Sequence, residues 1–312
     1  MPFTTKKYFL DKEQKASHFL MRDLGYSQKE MQSFIAKGRL SANGTLVAKP
    51  TQLINGDIEF IVFEPISYGL KAIFESDEFV VYDKPSGMLI HPQNRYTPYS
   101  LIDELKATYG DGANIVHRID QETSGLVLCA KNKKSEIELK VMFQEREVKK
   151  KYLAMVHGEL RDELSIDEPL LRYDDEKSAL VRMVVKVDKS GKESLTYVRP
   201  LEYFKNLNTT LVECSPHTGR QHQIRVHMFH VKHTIVGDPV YGQDESYIVK
   251  YLDRELDKQS RVEASGAKRL LLHANELEFS LYGREYHIKS GVNFKDICFT
   301  NMNVSCETSQ TI

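Results

Sequence analysis

What this chain lacks narrows it first. No apolar run approaches the roughly 20 residues that a bilayer span requires. The longest, such as residues 126–130 and 58–63, are strand-sized. The opening Met-Pro-Phe-Thr-Thr-Lys-Lys carries no apolar stretch of the secretory kind, so a cytoplasmic setting is expected. Cysteine is scarce and scattered: Cys129, Cys214, Cys298 and Cys306 contain no C-x-x-C pair. That argues for reduced thiols and against a disulfide framework or a zinc ribbon. Cys129 lies in an apolar, strand-like run and reads as a core residue. A P-loop and a dinucleotide fingerprint are missing too, so no nucleotide cofactor is expected. What remains is a chain of 312 residues, 41% hydrophobic and 28% charged. Two domains, with a core that needs no covalent staples, suit that length.

An excess of one charge is also lacking, since the net charge is −1. The sum does not announce a nucleic-acid binder, but a phosphate feels the local field rather than the total. Lys131, Lys133 and Lys134 form one basic cluster, and Lys149, Lys150 and Lys151 form another. Either cluster is equally well a solvated helix face.

Patterning divides the chain at about residues 65–71, which read as a linker. Before it, residues 1–64 form a small αβ module. Ser27-Gln-Lys-Glu30 is a capping box that starts a helix with Met31, Phe34 and Ile35 at helical spacing, and Gly38 ends it. Asn43-Gly44 between β-prone runs suits a type I′ hairpin. A second turn is expected at Asn55-Gly56-Asp57, ahead of a strand at 58–63. From 72 to 299, strands at 79–82, 126–130 and 152–157 alternate with few helices. One helix is expected at 134–146 with Ile137, Val141 and Met142 as its apolar face, and one turn at 189–192. This is no regular βαβα alternation. It predicts an α+β domain around a large, mainly antiparallel mixed sheet. The polar tail, 300–312, is expected to be disordered.

Three segments carry more functional residue types than structure alone demands. His117-Arg118-Ile119-Asp120 leads through Thr123-Ser124-Gly125 into an apolar strand, which holds a carboxylate on a loop at a strand end. Residues 215–227 pack Arg220, Arg225, His217, His222 and His227 around Gly219, a set suited to phosphate and sugar contacts. Tyr152 follows three lysines, so an aromatic face stands next to charges that can hold phosphates. A structural Arg–Asp pair and an ordinary core tyrosine are the plainer readings of the first and third.

Taken together, these motifs resemble the RluA family of pseudouridine synthases. The HR-(I/L)-D-x-x-TSGL motif occurs as His117–Leu126, Tyr152-Leu-Ala-Met-Val-His-Gly158 follows Lys151, and GR-x-HQIRVH occurs at 219–227. Asp83-Lys-Pro-Ser-Gly87, Val236-Gly-Asp-Pro-Val-Tyr-Gly242 and Arg269-Leu-Leu-Leu-His-Ala274 complete the order. The first module, with its helix, Lys37-Gly-Arg39, hairpin and Asn55-Gly-Asp57, resembles the S4 RNA-binding domain, although Lys15-Ala16-Ser17 replaces the usual Arg-Leu-Asp opening. Further departures are Gln221, the stretch 232–234 and Ser194.

The resemblance implies a pseudouridine synthase fold, preceded by an S4-like domain, and a base-flipping isomerisation that needs neither metal nor cofactor. It implies Asp120 as nucleophile, with Tyr152 against the flipped base and Arg225 beside the carboxylate. Arg118 would fill the vacated stack, and Leu271 or Leu272 would cover the other face of the base. Lys84 and Arg220 are expected at phosphates. So is the S4-type helix, with Lys29, Lys37 and Arg39. RNA is the implied partner, ribosomal RNA ahead of tRNA, for a chain expected to be monomeric. Two rivals remain at this point. His222, His227, His230 and His233 crowd together like the ligands of a metal-dependent hydrolase, but without H-E-x-x-H spacing. A non-catalytic RNA-binding protein of ribosome assembly is the other.

Overall fold

In a computed structural model, which describes residues 2–172 and 184–302, the chain divides into two units. One takes Met1–Tyr68 with His91–Thr108, and the other Gly69–Ile90 with Tyr109–Ile312. The return of 91–108 to the first unit has no signal in composition. A carboxylate anchors it: Glu104 accepts from the Ser67 hydroxyl at 2.6 Å and the Tyr68 amide at 2.8 Å.

The first unit opens with β1 (Phe3–Lys15), then a helical turn, Ala16–His18, that widens into a π-helical stretch, Phe19–Asp23. Helix α1 (Gln28–Ala36) follows, then β2 (Leu40–Ala42), β3 (Thr45–Leu46) and β4 (Leu53–Phe63), with α2 (Leu101–Tyr109) added from the later segment. The expected capping box forms: Ser27 Oγ accepts from the Glu30 amide, and Glu30 accepts from the Ser27 amide at 2.9 Å. The Asn43-Gly44 hairpin forms as well, with φ of 49° and 75°. The turn expected at 55–57 does not. Those residues lie inside β4, which pairs with β1 and is only kinked at Gly56, where φ is 71°. The Asn43 side chain catches the kink, accepting from the Asp57 amide and donating to the Asn55 carbonyl. Sheet order is β1-β4-β2-β3, and Leu20, Ile35, Leu40, Ile58 and Phe60 fill the core beneath.

The second unit is built on one ten-stranded sheet. Its early strands are β5 (Ala72–Glu75), β6 (Phe79–Lys84), β7 (Asn114–Ile115) and β8 (Ser124–Ala130), followed by α3 (Lys133–Gln144). Next come β9 (Lys149–His157), β10 (Leu164–Asp167), the two-stranded ribbon β11 (Leu170–Arg172) with β12 (Val185–Val187), β13 (Leu195–Phe204) and β14 (Thr209–Pro216). Helices α4 (Gln223–His230), α5 (Glu245–Leu252) and α6 (Lys258–Ser265) precede β15 (Leu272–Leu281), β16 (Arg284–Lys289) and α7 (Phe294–Asn301). The path is β10-β13-β14-β9-β15-β8-β6-β5, with β16 on β15 and β7 on β8. Every pair is antiparallel except β8 with β15, so the mixed, mainly antiparallel α+β architecture expected from the sequence is the one observed.

One rung of that sheet organises the site. Gly125 stands opposite Ala274, Ala274 opposite Tyr152, and Tyr152 opposite Cys214. The loop before β8 and the loop after β14 therefore emerge at neighbouring places. Gly125 has no substitute on this rung: its φ is 108°, and a Cβ there would lie 2.2 Å from the Ala274 carbonyl oxygen.

Two expectations need correction. On α3, Leu139 and Met142 are buried, whereas Ile137 and Val141 are 56% and 48% exposed. Capping at Asn132 starts the helix at Lys133 and turns the 135–139–142 face inward. The lysines at 149–151 are not one cluster, because side chains alternate along β9. Lys149 and Lys151 face Glu278 and Glu276, at 3.8 and 3.1 Å, while Lys150 lines the cleft described below. Cys129, Cys214 and Cys298 are buried and free. The polar tail expected at 300–312 starts as helix, since Thr300 and Asn301 close α7 and Met302 caps it; residues 303–312 lie outside the described residues.

Candidate active site

A cleft of about 470 Å³ opens where the two loops meet, large enough for one nucleoside. Asp120, Tyr152, Arg225, Arg118, Arg220 and Leu272 all line it. Asp120 sits between β7 and β8, and its Oδ2 is 3.4 Å from Nη1 of Arg225. Arg225 itself is immobilised from behind. Its Nε and Nη2 each donate to Asp238 at 2.8 Å, a two-pronged pair buried in the protein. Asp238 also accepts the amides of Val240 and Tyr241, and the Tyr241 ring lies 5.1 Å from the guanidinium carbon. Burial by itself would lower the Arg225 pKa, but attraction to Asp238 and then Asp120 outweighs it and raises it. The same pairing holds Asp238 below its ordinary value despite burial. In the sequence Asp238 is only one letter of the motif at 236–242. No spacing rule links it to Arg225, thirteen positions earlier on a helix.

Tyr152 enters the cleft from β9, partly buried between two apolar clusters. Burial, helped by the charge of Asp120, raises its phenol pKa well above the ordinary 10. Leu272 lines the cleft, and Leu271 does not. Leu271 is fully buried and packs with Met155, Val236 and Phe294, so the alternation at the start of β15 decides between the two leucines. Arg118 and Arg220 are exposed on the rim, with Arg146 and Lys150 nearby. Lower in the wall, His117 is stacked on Phe143 with ring centres 4.4 Å apart, and its Nε2 accepts the Leu128 amide. Burial pushes it down to about 3.

Lys84 is a correction. It is 0% exposed and cannot meet a phosphate. Its Nζ donates to the carbonyls of Pro85, Met88 and Gln121 at 2.9–3.0 Å, so it clamps the 85–88 turn to the Asp120 loop. Burial, then the nearby Arg269, bring its pKa down to about 7. A second clamp was not foreseen either. Glu122 accepts from Arg261 at 2.8 Å and from the Tyr251 hydroxyl at 3.0 Å, tying the loop to α5 and α6. A third is a buried polar chain, in which Arg269 donates to Ser124, Ser124 meets His273, His273 meets Ser290, and Ser290 donates to Asp83. It threads three of the motifs through the base of the sheet.

The three cations expected to meet RNA from the first module lie in the first unit. Lys29 lies on α1 and is exposed, and Lys37, also exposed, is its C-cap. Arg39 lies beyond the helix and is half-buried, its guanidinium 5.0 Å from the Phe3 ring centre and 5.6 Å from that of Phe34. One helix therefore does not present all three. The histidines that could suggest a metal diverge. His222 meets Tyr241, His227 meets Thr196 and the Glu168 carbonyl, and His233 meets the His157 carbonyl. Among the described residues, the one group of three convergent ligand types is Glu276, Glu278 and His287, which Lys151 and Lys289 already neutralise.

Comparison with known proteins converges on one chemistry. A family model described as RNA pseudouridylate synthase matches residues 78–230. An uncharacterised RNA pseudouridine synthase of Helicobacter pylori is 38% identical over 291 residues, covering 93% of this chain and 96% of its own. The ribosomal large subunit pseudouridine synthase D of Escherichia coli is 32% identical over 231 residues, 70% of this chain and 69% of its own. Among solved structures, human RNA pseudouridylate synthase domain containing 1 superimposes with a TM-score of 0.58 at 25% identity. It covers 79% of this chain and 95% of that one.

Proposed function

The chain belongs to the RNA pseudouridine synthases, and from that premise we propose that Asp120 acts on the nucleoside and that large-subunit ribosomal RNA supplies it. The reaction isomerises uridine. The N1–C1′ bond breaks, the uracil turns, and C5 bonds to C1′. The hydrogen on C5 leaves to solvent as a proton, and N1 takes one up, so nothing is oxidised or consumed. Three routes begin at a carboxylate: attack on C1′, attack on C6, or removal of the 2′-proton. All three require one carboxylate oxygen to be held and the other left open to the nucleoside.

That arrangement is the observation that carries the reading. Oδ2 of Asp120 faces the Arg225–Asp238 pair, while among the described residues Oδ1 has no protein partner. Tyr152 offers a face for the extruded base, and Leu272 the opposing contact. Arg118 on the rim takes the vacated place in the stack, and Arg220, Arg146 and Lys150 serve the phosphates. The first unit adds a separate RNA contact through the exposed Lys29 and Lys37. Ribosomal RNA is favoured because relatives named for the large ribosomal subunit match 56–70% of this chain.

The test is tritium release from large-subunit ribosomal RNA, and separately tRNA, transcribed with 5-tritiated uridine. The wild-type protein is expected to release tritium from the ribosomal transcript. Asp120→Asn should bind that RNA with near wild-type affinity and release none. Release by the mutant above a few per cent refutes the role of Asp120, and release from tRNA alone refutes the substrate.

A further inference from the structure

The sequence places a histidine, His222, immediately ahead of α4, and the fold holds it in a conformation that side chains other than glycine seldom adopt, with φ at 56°. The result is a ring turned into the cleft and largely buried. Its Nδ1 lies 2.9 Å from the hydroxyl of Tyr241. That hydroxyl already accepts the Val185 amide at 3.1 Å. A phenol has one proton to give, and among the described residues no acceptor other than Nδ1 meets it. Tyr241 is itself buried, where an unmet O–H would be costly. Its proton therefore points at Nδ1. A ring nitrogen that accepts carries no proton, so the hydrogen of the neutral imidazole is on Nε2. Burial keeps the ring neutral, holding it down at about 4, with Arg225 pushing the same way.

Nε2 is 3.9 Å from Oδ2 of Asp120, the oxygen that also faces Arg225 at 3.4 Å. The gap is wider than a hydrogen bond, and catalytic contacts commonly tighten only once substrate is in place. We propose that His222 is a positioning residue, whose tautomer is fixed by the chain Val185 amide, Tyr241 hydroxyl, Nδ1, and whose Nε2–H steers Oδ2 of Asp120. Oδ1 is thereby the oxygen turned to the nucleoside. The proposal rests on the role given to Asp120 above.

Two measurements test it together. The first is nitrogen NMR of the full-length protein labelled in histidine, with the His222 signal identified by its loss in the variants. It should report an unprotonated Nδ1 and a protonated Nε2. The second is a pair of substitutions read by single-turnover tritium release on the transcript that the wild type modifies. His222→Gln keeps an N–H donor near the Nε2 position, whereas His222→Asn keeps polar atoms only near Nδ1 and suits the positive φ. Asn should run about 10- to 100-fold slower than Gln, the effect of losing a hydrogen bond to a charged group, with RNA affinity unchanged in both. An Nδ1-protonated tautomer, or equal rates for Asn and Gln, overturns the proposal. The failure of each reading is distinct. If Asp120→Asn still releases tritium, the role of Asp120 falls. If Asp120→Asn is inactive while the two His222 variants match, only His222 loses its part.

Discussion

A phenol whose proton is held tightly is a poor base, and this bears on what Tyr152 does. Burial and the Asp120 charge both raise its pKa, so near neutral pH the residue offers a ring face and an O–H rather than an anion. If stacking is its contribution, Tyr152→Phe keeps most of it, whereas Tyr152→Ala forfeits about 1–3 kcal/mol, roughly 5- to 150-fold. Single-turnover rates should therefore fall little in the first and steeply in the second. A collapse in Tyr152→Phe as deep as in Tyr152→Ala would show that the hydroxyl matters instead. At this scale the sequence is informative where a motif names a residue that lines the cleft: Asp120, Tyr152 and Arg225 gather there, with Arg118 and Arg220 on its rim. It misled at Lys84, a basic residue in a polar turn. Whether such a lysine reaches solvent depends on three carbonyls, one of them 37 positions away at Gln121. Leu271 and Leu272 could not be separated from the run of leucines, because the start of β15 sets which of them faces the cleft.

Elements decide how rigidly the Asp120 loop is held. Residues 120–123 bridge to β8, and their far side is fastened by Glu122 to Arg261 on α6 and Tyr251 on α5. The Glu122 and Arg261 side chains are only 16% and 12% exposed, so breaking the pair strands a charge away from water. Arg261→Ala should cost about 3–5 kcal/mol in urea unfolding, the usual penalty for removing one partner of a buried pair. It should also slow single turnover by loosening the loop. Adding Glu122→Gln to that variant should restore part of the stability, since no charge is then left unpaired; a double mutant as unstable as the single one would argue against the clamp. No helix pattern advertises this contact, because Arg261 is one polar residue among many on α6. Legibility of the elements themselves followed burial. The capping box and the Asn43-Gly44 hairpin are local chemistry, and both formed as read. Strand β1 was not read at all: it is an edge strand whose residues are mostly exposed, so no alternation of apolar and polar residues marks it. The Asn55-Gly56 kink looked like a turn because Gly allows both, and the long pairing with β1 chose between them.

Across the whole molecule, a near-zero net charge hides a set of histidines that the fold keeps neutral. His117 is held at about 3, and His222 and His273 at about 4, each by burial first. Burial lowers His157 and His227 as well. In the unfolded chain the same rings titrate near 6.5. Between these values the unfolded state binds more protons than the folded one, so stability rises with pH through this window and falls as the solution is acidified. Above about pH 6.5 the stabilisation is fully present. From pH 7 to pH 5.5 each of the first three should withdraw about 1 kcal/mol, or roughly 3–4 kcal/mol together. Urea midpoints measured at the two pH values should show that loss in the wild type. His117→Gln supplies a carbonyl that can still accept the Leu128 amide but binds no proton. Its stability should fall by about 1 kcal/mol less over the same interval, even if its value at pH 7 is lower for want of the stack on Phe143. Equal losses in the two proteins would mean that His117 is not held neutral by the fold. A wild type indifferent to pH 5.5 would remove all three from that role, and with them the neutral imidazole on which the tautomer of His222 depends.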